Sequence, residues 1–413
     1  MISVNPQRTI EELRQLKALT GNDDGAQRLA WSDTWLKARQ WYKEKLAALP
    51  VKVEQDEAGN LWATLPGKSE QTLLIGGHLD SVPNGGWLDG CLNVLAGLEV
   101  LRGIADNGTP PVTIRLVDWA DEEGARFGGS LFGSGAVSGN LNIETARTLR
   151  DAWGNSLPEV VGHCGVNLDT IHNAQSQLKN ARGYLELHIE QGPVLESLAL
   201  PMGAVVGANG IERYLFRFTG QAAHAGSTPM KQRRDAFLAA ARWALTVREC
   251  AIEQKGVGTT GKVVTQPGIY TAVAGVCEIS LDLRNLNPTG LAAQSTHAKQ
   301  MAQQIADEER VSLEIIPIFD CTPTQFDADL VNFADQAIVE TCGVSHRLPS
   351  GPLHDACEVC RAGIPTVMLF VQSLNGLSHC KEEDTLVEHI EMSIQALARL
   401  TEKAMPWVEN HAD

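Results

Sequence analysis

No basic block interrupts this sequence: 34 Lys and Arg stand against 50 Asp and Glu, a net charge of −16. Phosphate backbones are held by clustered cations, so nucleic acid is not an expected partner. Long apolar runs are missing as well. The start "MISVNPQRTIEELRQL" has no apolar core of signal-peptide type, and the uncharged stretch 362–380 is broken by Pro365, Gln372, Asn375 and Gly376. Neither leader nor membrane span is expected. The nine cysteines are odd in number and scattered through 413 residues, which lacks the pairing logic of a disulfide framework. Such thiols fit a reducing cytoplasm. Repeats and low-complexity linkers are absent too, so domain borders must be read from pattern alone.

What is present is a chain with 43% hydrophobic residues, long enough for two domains with full cores. "SDTWLKARQWYKEKLAALP" spaces Trp35, Tyr42, Leu46 and Leu49 as a helix, opens on a Ser-Asp cap and stops at Pro50. "TLLIGG" and "PVTIRLVDWA" read as strands around the helical "CLNVLAGLEVLRGI", the grammar of a sheet covered by helices. After residue 210 the texture changes. "RYLFRFTG" and "CEISLDLRNL" alternate, each followed by a helical run, before "VSLEIIPI". The expectation is an α/β domain over residues 1–210 and 328–413, interrupted by a smaller α+β domain over 211–327. "GVGTTGK", residues 256–262, fits half of a phosphate loop, but Val263 stands where Ser or Thr should hold magnesium. A turn is expected there.

The chemistry concentrates at strand ends. In "GGHLDSVPNGGWLDG", His78 and Asp80 lie two apart, so in extended chain they share a face, and Asp80 can orient the imidazole of His78. Asp89 follows a turn and opens a helix, where the dipole favours an anion. "DWADEEGARF" places Asp121, Glu122 and Glu123 just past a strand, three carboxylates that repel unless a cation or proton intervenes. "GYLELHIEQG" alternates so that Tyr184, Glu186, His188 and Glu190 share the polar face, and "LNGLSH" delivers His379 beyond an apolar strand. Each of these taken singly reads as a hydrogen-bonded structural residue or a solvated acidic face. Three His and several carboxylates at the ends of different strands are what nitrogen and oxygen metal ligation needs. Arg284 lies on a polar strand face with Ser280 and Asp282, either a fork for a substrate carboxylate or a surface ion pair with Asp282.

In order along the chain, "GGHLDSVPNGGWLDG", "DEEGARF", "LELHIEQGPVLE", "HAGSTPM" with "RRDA", "LDLR" and "LSH" resemble the dinuclear-metal amidase, hydantoinase and carbamoylase family. That family includes N-carbamoyl-L-amino-acid hydrolases and allantoate amidohydrolases and is related to zinc exopeptidases and aminoacylases. The resemblance implies two divalent ions, Zn, Mn, Co or Ni, bridged by Asp89, with His78 and His188 on one and Glu123 and His379 on the other. It makes Glu122 the general base and Asp80 the orienter of His78. Gln191, His224, Arg284 and His354 become substrate-site residues, His224 as stabiliser of an oxyanion. It also implies a zinc-exopeptidase-type catalytic domain, and an inserted domain that serves as lid and dimer contact in a homodimer. The implied reaction splits the ureido C–N bond of an N-carbamoyl-L-amino acid, a small substrate carrying a carboxylate, to the amino acid, carbon dioxide and ammonia. Allantoate or ureidoglycolate, or an N-acyl amino acid, are the alternative substrates. Departures fall at Gly268, Thr271 and Leu353, where relatives carry asparagines and a glycine. An inactive metal- or amino-acid-binding protein is the reading from another class, and Glu122 argues against it, since binding needs no base.

Overall fold

Ser32 accepts the backbone N–H of Trp35 at 3.2 Å and starts the helix Asp33–Leu46, whose Trp35, Tyr42 and Leu46 are buried at helical spacing. The computed structural model describes residues 1–411. It divides into two compact units, residues 1–206 with the chain from Phe326 onward, and Gly207–Gln325.

The first unit is built on a mixed sheet. Seven of its nine strands run in the order Met202–Ala208, Thr366–Val371, Ala181–Ile189, Ser69–His78, Val112–Trp119, Leu61–Leu65 and Lys52–Gln55. Thr366–Val371, Ala181–Ile189, Ser69–His78 and Val112–Trp119 are mutually parallel, and the outer ones antiparallel. Parallel neighbours require crossovers, and the helix Cys91–Asp106, buried along most of its length, supplies one. The same covering explains why Ala181–Ile189 is buried on both faces although its sequence alternates. The polar face meets other buried groups: Glu186 accepts the Tyr184 hydroxyl at 2.6 Å, and Glu190 accepts the N–H groups of Val194 and Leu195 at 2.7 and 2.9 Å. The last helix, Val387–Asn410, closes the layer.

The second unit is an antiparallel sheet in the order Val257–Thr259, Val276–Asn285, Gly210–Thr219 and Ser312–Cys321. Buried and half-buried residues alternate strictly along Val276–Asn285, as its sequence predicts. Two helices, Ala236–Glu253 and Pro288–Glu309, bury Trp243, Leu291 and Ile305 against Phe216, Phe218, Ile279 and Leu281. The phosphate-loop-like segment is not simply a turn. Val257–Thr259 is drawn into the sheet by pairing with Arg284, Leu283 and Asp282, so Gly256 and Gly261 flank a short strand that contains Gly258.

Candidate metal centre

The parallel strands of the first unit deliver their ends to one place, the edge at which open α/β sheets bind ligands. His78 ends its strand, Glu122 and Glu123 follow Val112–Trp119, and His188 lies next to the end of Ala181–Ile189. Asp89 arrives on the turn before the helix Cys91–Asp106. Gly90, at φ +64°, is required there, because a Cβ would lie 2.4 Å from the His78 ring.

Asp89 is the meeting point of two donor groups. Its Oδ1 lies 3.1 Å from His188 Nε2 and 3.5 Å from His78 Nε2, and its Oδ2 lies 3.5 Å from His379 Nε2. His379 Nε2 is also 3.4 Å from Glu123 Oε2. Glu122 Oε2 stands 3.8 Å from His78 Nε2. Thus His78, Asp89 and His188 form one set of converging donors, and Asp89, Glu123 and His379 the other.

The hydrogen bonds indicate what fits between them. His188 Nδ1 faces the Ile189 carbonyl at 2.9 Å and His78 Nδ1 the Asp80 carbonyl at 3.2 Å, so each Nδ1 carries the proton. Each Nε2 is buried without a hydrogen-bond partner, and its lone pair faces a carboxylate oxygen. Two lone pairs opposed across little more than 3 Å call for a cation. Donors sharing a tetrahedral ion at about 2.0–2.1 Å stand roughly 3.3 Å apart, which matches these separations. The first set therefore fits a divalent ion, and the second has donor separations of similar size, 3.4 and 3.5 Å.

The electrostatics say the same. Burial disfavours charge on His78, yet Glu122, Asp80 and Asp89 overcome it and raise its pKa well above the usual value. Burial pushes the Glu122 and Glu123 carboxyls well up, with repulsion from Asp355 and Asp89 respectively adding to it. Asp89 is held well below the usual range, because the His188 and His78 imidazoles beside it outweigh burial.

Asp80 sits differently from a simple imidazole orienter. It meets Nδ1 of His78 with its backbone carbonyl, its carboxylate Oδ1 being 3.6 Å away. The carboxylate instead accepts the N–H groups of Glu122 and Glu123, at 3.3 and 3.1 Å, and so holds the loop that carries them. Asp121 is turned out of the cluster and accepts Trp31 Nε1 at 2.8 Å. Gln191 Nε2 donates to Asp89 Oδ2 and Ser378 Oγ, both at 2.9 Å. His354 is buried with its ring 4.4 Å from that of His188, and burial, aided by His188, lowers its pKa well below the usual range. The second unit carries the other two. Arg284 Nε bonds Asp282 Oδ1 at 2.8 Å, while Arg213 shares the same carboxylate at 2.6 Å. His224 is exposed, and its Nδ1 accepts the N–H groups of Gly226 and Ser227 at 3.2 and 3.1 Å. The proton is therefore on Nε2, which points away from the turn.

Glu383 escaped the sequence reading. It is buried, and its Oε1 accepts the N–H groups of Leu88 and Asp89 at 3.3 and 3.1 Å, while Oε2 accepts Ser378 Oγ at 3.0 Å. Gly86 leaves room for it, since a Cβ there would lie 2.0 Å from Oε1. Burial, then Asp89, pushes its carboxyl up to about 7. In sequence it is one acid in the run "KEED", where only its spacing from His379 could have marked it.

The model of peptidase family M20/M25/M40 matches residues 74–403. The chain belongs to that family. It is a family of hydrolases, and the relatives cleave amide-type C–N bonds by name. The chain is 35% identical over 380 residues to an N-carbamoyl-L-amino acid amidohydrolase of Geobacillus stearothermophilus, covering 90% of this chain and 92% of that one. It is 32% identical over 386 residues to an allantoate amidohydrolase of Escherichia coli K12, covering 91% and 92%. The crystal structure of a hydantoinase/carbamoylase family amidase from Burkholderia multivorans superposes with a TM-score of 0.89 at 30% identity, covering 98% and 99% of the two chains. Membership of this M20 family accounts for the α/β sheet and for its cluster of candidate metal-binding residues. No helix among the described residues is long and apolar enough to cross a membrane.

Proposed function

We propose that the protein is a cytoplasmic, homodimeric N-carbamoyl-L-amino-acid amidohydrolase that works with two divalent ions. The observation that carries the reading is the pair of donor sets sharing Asp89, with Glu122 3.8 Å from His78 and outside both sets. His78, Asp89 and His188 would hold one ion, and Asp89, Glu123 and His379 the other. When bound, the ions supply Lewis acidity toward a carbonyl and make water acidic enough to attack at neutral pH. The nitrogen and oxygen donors suit Zn, Mn, Co or Ni.

Glu122 does the proton work. A carboxyl whose burial raises its pKa can take a proton from water and keep it until the leaving nitrogen needs it. Asp80 fixes the Glu122 and Glu123 backbone, so the base stays put as it changes charge. His224, with Nδ1 occupied and Nε2–H free, has the tautomer that donates to a developing oxyanion. Arg284 is the fork for the substrate carboxylate, prealigned by Asp282. Gln191 and His354 complete the substrate side. The amino acid leaves as the amine, and the carbamate breaks down to carbon dioxide and ammonia.

The dimer is supported by the outer face of Ala236–Glu253, where Leu238, Leu245 and Ile252 are exposed at seven-residue intervals. We assign the residues 211–327 identified from sequence as the lid and dimer domain. The test of function is ammonia release from carbamoyl amino acids, allantoate, ureidoglycolate and acyl amino acids, with Mn, Co or Zn added. Preference for a carbamoyl amino acid is expected. Faster release from allantoate would give the protein the activity named for its relative in Escherichia coli.

A further inference from the structure

Leu79 separates His78 from Asp80 and lies one residue past the strand Ser69–His78. The ladder that fixes the strand has ended, so the peptide groups on either side of Leu79 need other partners. They find them in side chains. The Leu79 N–H donates to Asp118 Oδ1 at 2.8 Å, and Asp118 Oδ2 accepts Arg39 Nε at 2.6 Å. The Leu79 carbonyl accepts Arg28 Nε at 2.7 Å. Arg28 also pairs through its backbone, its N–H donating to Ser81 Oγ at 3.1 Å and its carbonyl accepting the Ser81 N–H at 3.1 Å.

Arg28 is an unusual choice for this task. It is 1% exposed, yet its donors go to neutral oxygens: the Leu79 carbonyl, and Thr20 Oγ1 at 3.4 Å. Its Nη2 is buried without a partner. Unlike Arg39, which faces Asp118, it meets no carboxylate among the described residues. A buried cation without a counter-ion weakens a fold, so stability does not explain its presence. What it holds does. The peptides around Leu79 set both the His78 ring, whose Nδ1 faces the Asp80 carbonyl, and the Asp80 carboxylate, which carries the Glu122 and Glu123 backbone.

We propose that Arg28 is a positioning residue for the metal centre: its guanidinium locks the Leu79 peptide and thereby aims His78 and Asp80, at a cost to fold stability. The proposal rests on the reading of His78 as a metal ligand. A ligand held by a rigid outer partner binds its ion more tightly, and loss of such partners typically lowers metal affinity about 10- to 100-fold.

The test uses full-length metal-free protein, with thermal unfolding and Zn(II) competition against a chelator as readouts. Arg28→Met removes charge and donors while keeping length. Its metal-free Tm is expected to equal or exceed that of wild type, while one of two Zn(II) equivalents binds about 10- to 100-fold more weakly. Arg28→Lys, with a single donor group, is expected to fall between. Unchanged Zn(II) affinity in folded Arg28→Met overturns the role. If Tm and affinity fall together in Arg28→Met, Arg28→Lys decides: wild-type Tm with weakened binding supports positioning, and recovery of both in step assigns a structural role and overturns it. Wild-type protein that takes up no Zn(II) overturns the metal reading itself and the proposal with it.

Discussion

Glu383 accepts the backbone N–H of Asp89 at 3.1 Å, so the residue shared by both donor sets is held in place by an acid 294 positions later in the chain. The same carboxylate accepts from Ser378, next to His379, and thus ties together two of the loops that build the second set. Glu383→Ala leaves the buried N–H groups of Leu88 and Asp89 unsatisfied. It is expected to lower stability by about 1–3 kcal/mol, the cost of orphaned buried donors, and to lose an ion before wild type does. Glu383→Gln keeps an acceptor and should lie closer to wild type. Urea unfolding and metal titration check both, and a Glu383→Ala protein with wild-type stability would contradict the role.

Glu122→Gln is the test of the base. The amide retains size and polarity, and Glu122 belongs to neither donor set. Both ions should bind as in wild type, while kcat falls by about 100- to 10,000-fold, the usual worth of general acid–base catalysis. Near-normal turnover at full metal occupancy would remove Glu122 from the chemistry.

Removing the ions should make stability depend on pH in a defined direction. In the metal-free protein, burial raises Glu122 and Glu123 well above the ordinary glutamate value of 4.5 and Glu383 to about 7, and the surrounding carboxylates raise His78. The folded state then binds more protons than the unfolded one, so stability is present at low pH and is lost as pH rises through these raised values. Asp89 and His354 have the opposite sign, but their windows lie below the ordinary values of 3.8 and 6.5. The metal-free Tm should therefore fall between about pH 6.5 and 8, where Glu383 loses its proton, and the gain in Tm on adding Zn(II) should grow over the same range. A gain that shrinks with rising pH would mean that ions do not replace these protons.

Much of this was legible because ligand chemistry and strand ends coincide in the sequence. His78, Asp89, Glu123, His188 and His379 stand beside glycine-rich turns after apolar runs, and the parallel sheet brings such ends to one edge. Alternation in "CEISLDLRNL" foretold its burial pattern because that strand has one face on a core. The same alternation around His188 misstates the environment, since helices cover both faces of Ala181–Ile189 and Glu186 is buried. Arg28, Asp118 and Glu383 were not legible. Each acts on the backbone of a residue far away in sequence, and no local spacing records a contact of that kind.

Arg284 separates a substrate fork from a structural pair. Its bond to Asp282 is partly exposed, and such pairs contribute about 0–1 kcal/mol. Arg284→Ala should leave Tm nearly unchanged yet raise KM about tenfold or more, and Arg284→Lys should restore little, because a single ammonium cannot grip both carboxylate oxygens. An unchanged KM would remove Arg284 from the substrate site.

His224 carries the prediction that reaches furthest, because the family resemblance implies that it acts in the active site of the partner subunit. Its Nδ1 is occupied by two backbone N–H groups, so the exposed Nε2–H is a fixed donor looking for an acceptor outside its own turn. A solvent-facing loop histidine would tolerate replacement, so His224→Ala should cost turnover and little stability. The mixing experiment then assigns the chain. His224→Ala and Glu122→Ala homodimers are each expected to be inactive. Refolded together at random, half of the molecules are heterodimers, and each has one site with an intact Glu122 and the partner's intact His224. The mixture should recover roughly a quarter of wild-type activity. If His224 serves its own subunit, every site in the mixture lacks one of the two groups, and subunit exchange restores nothing.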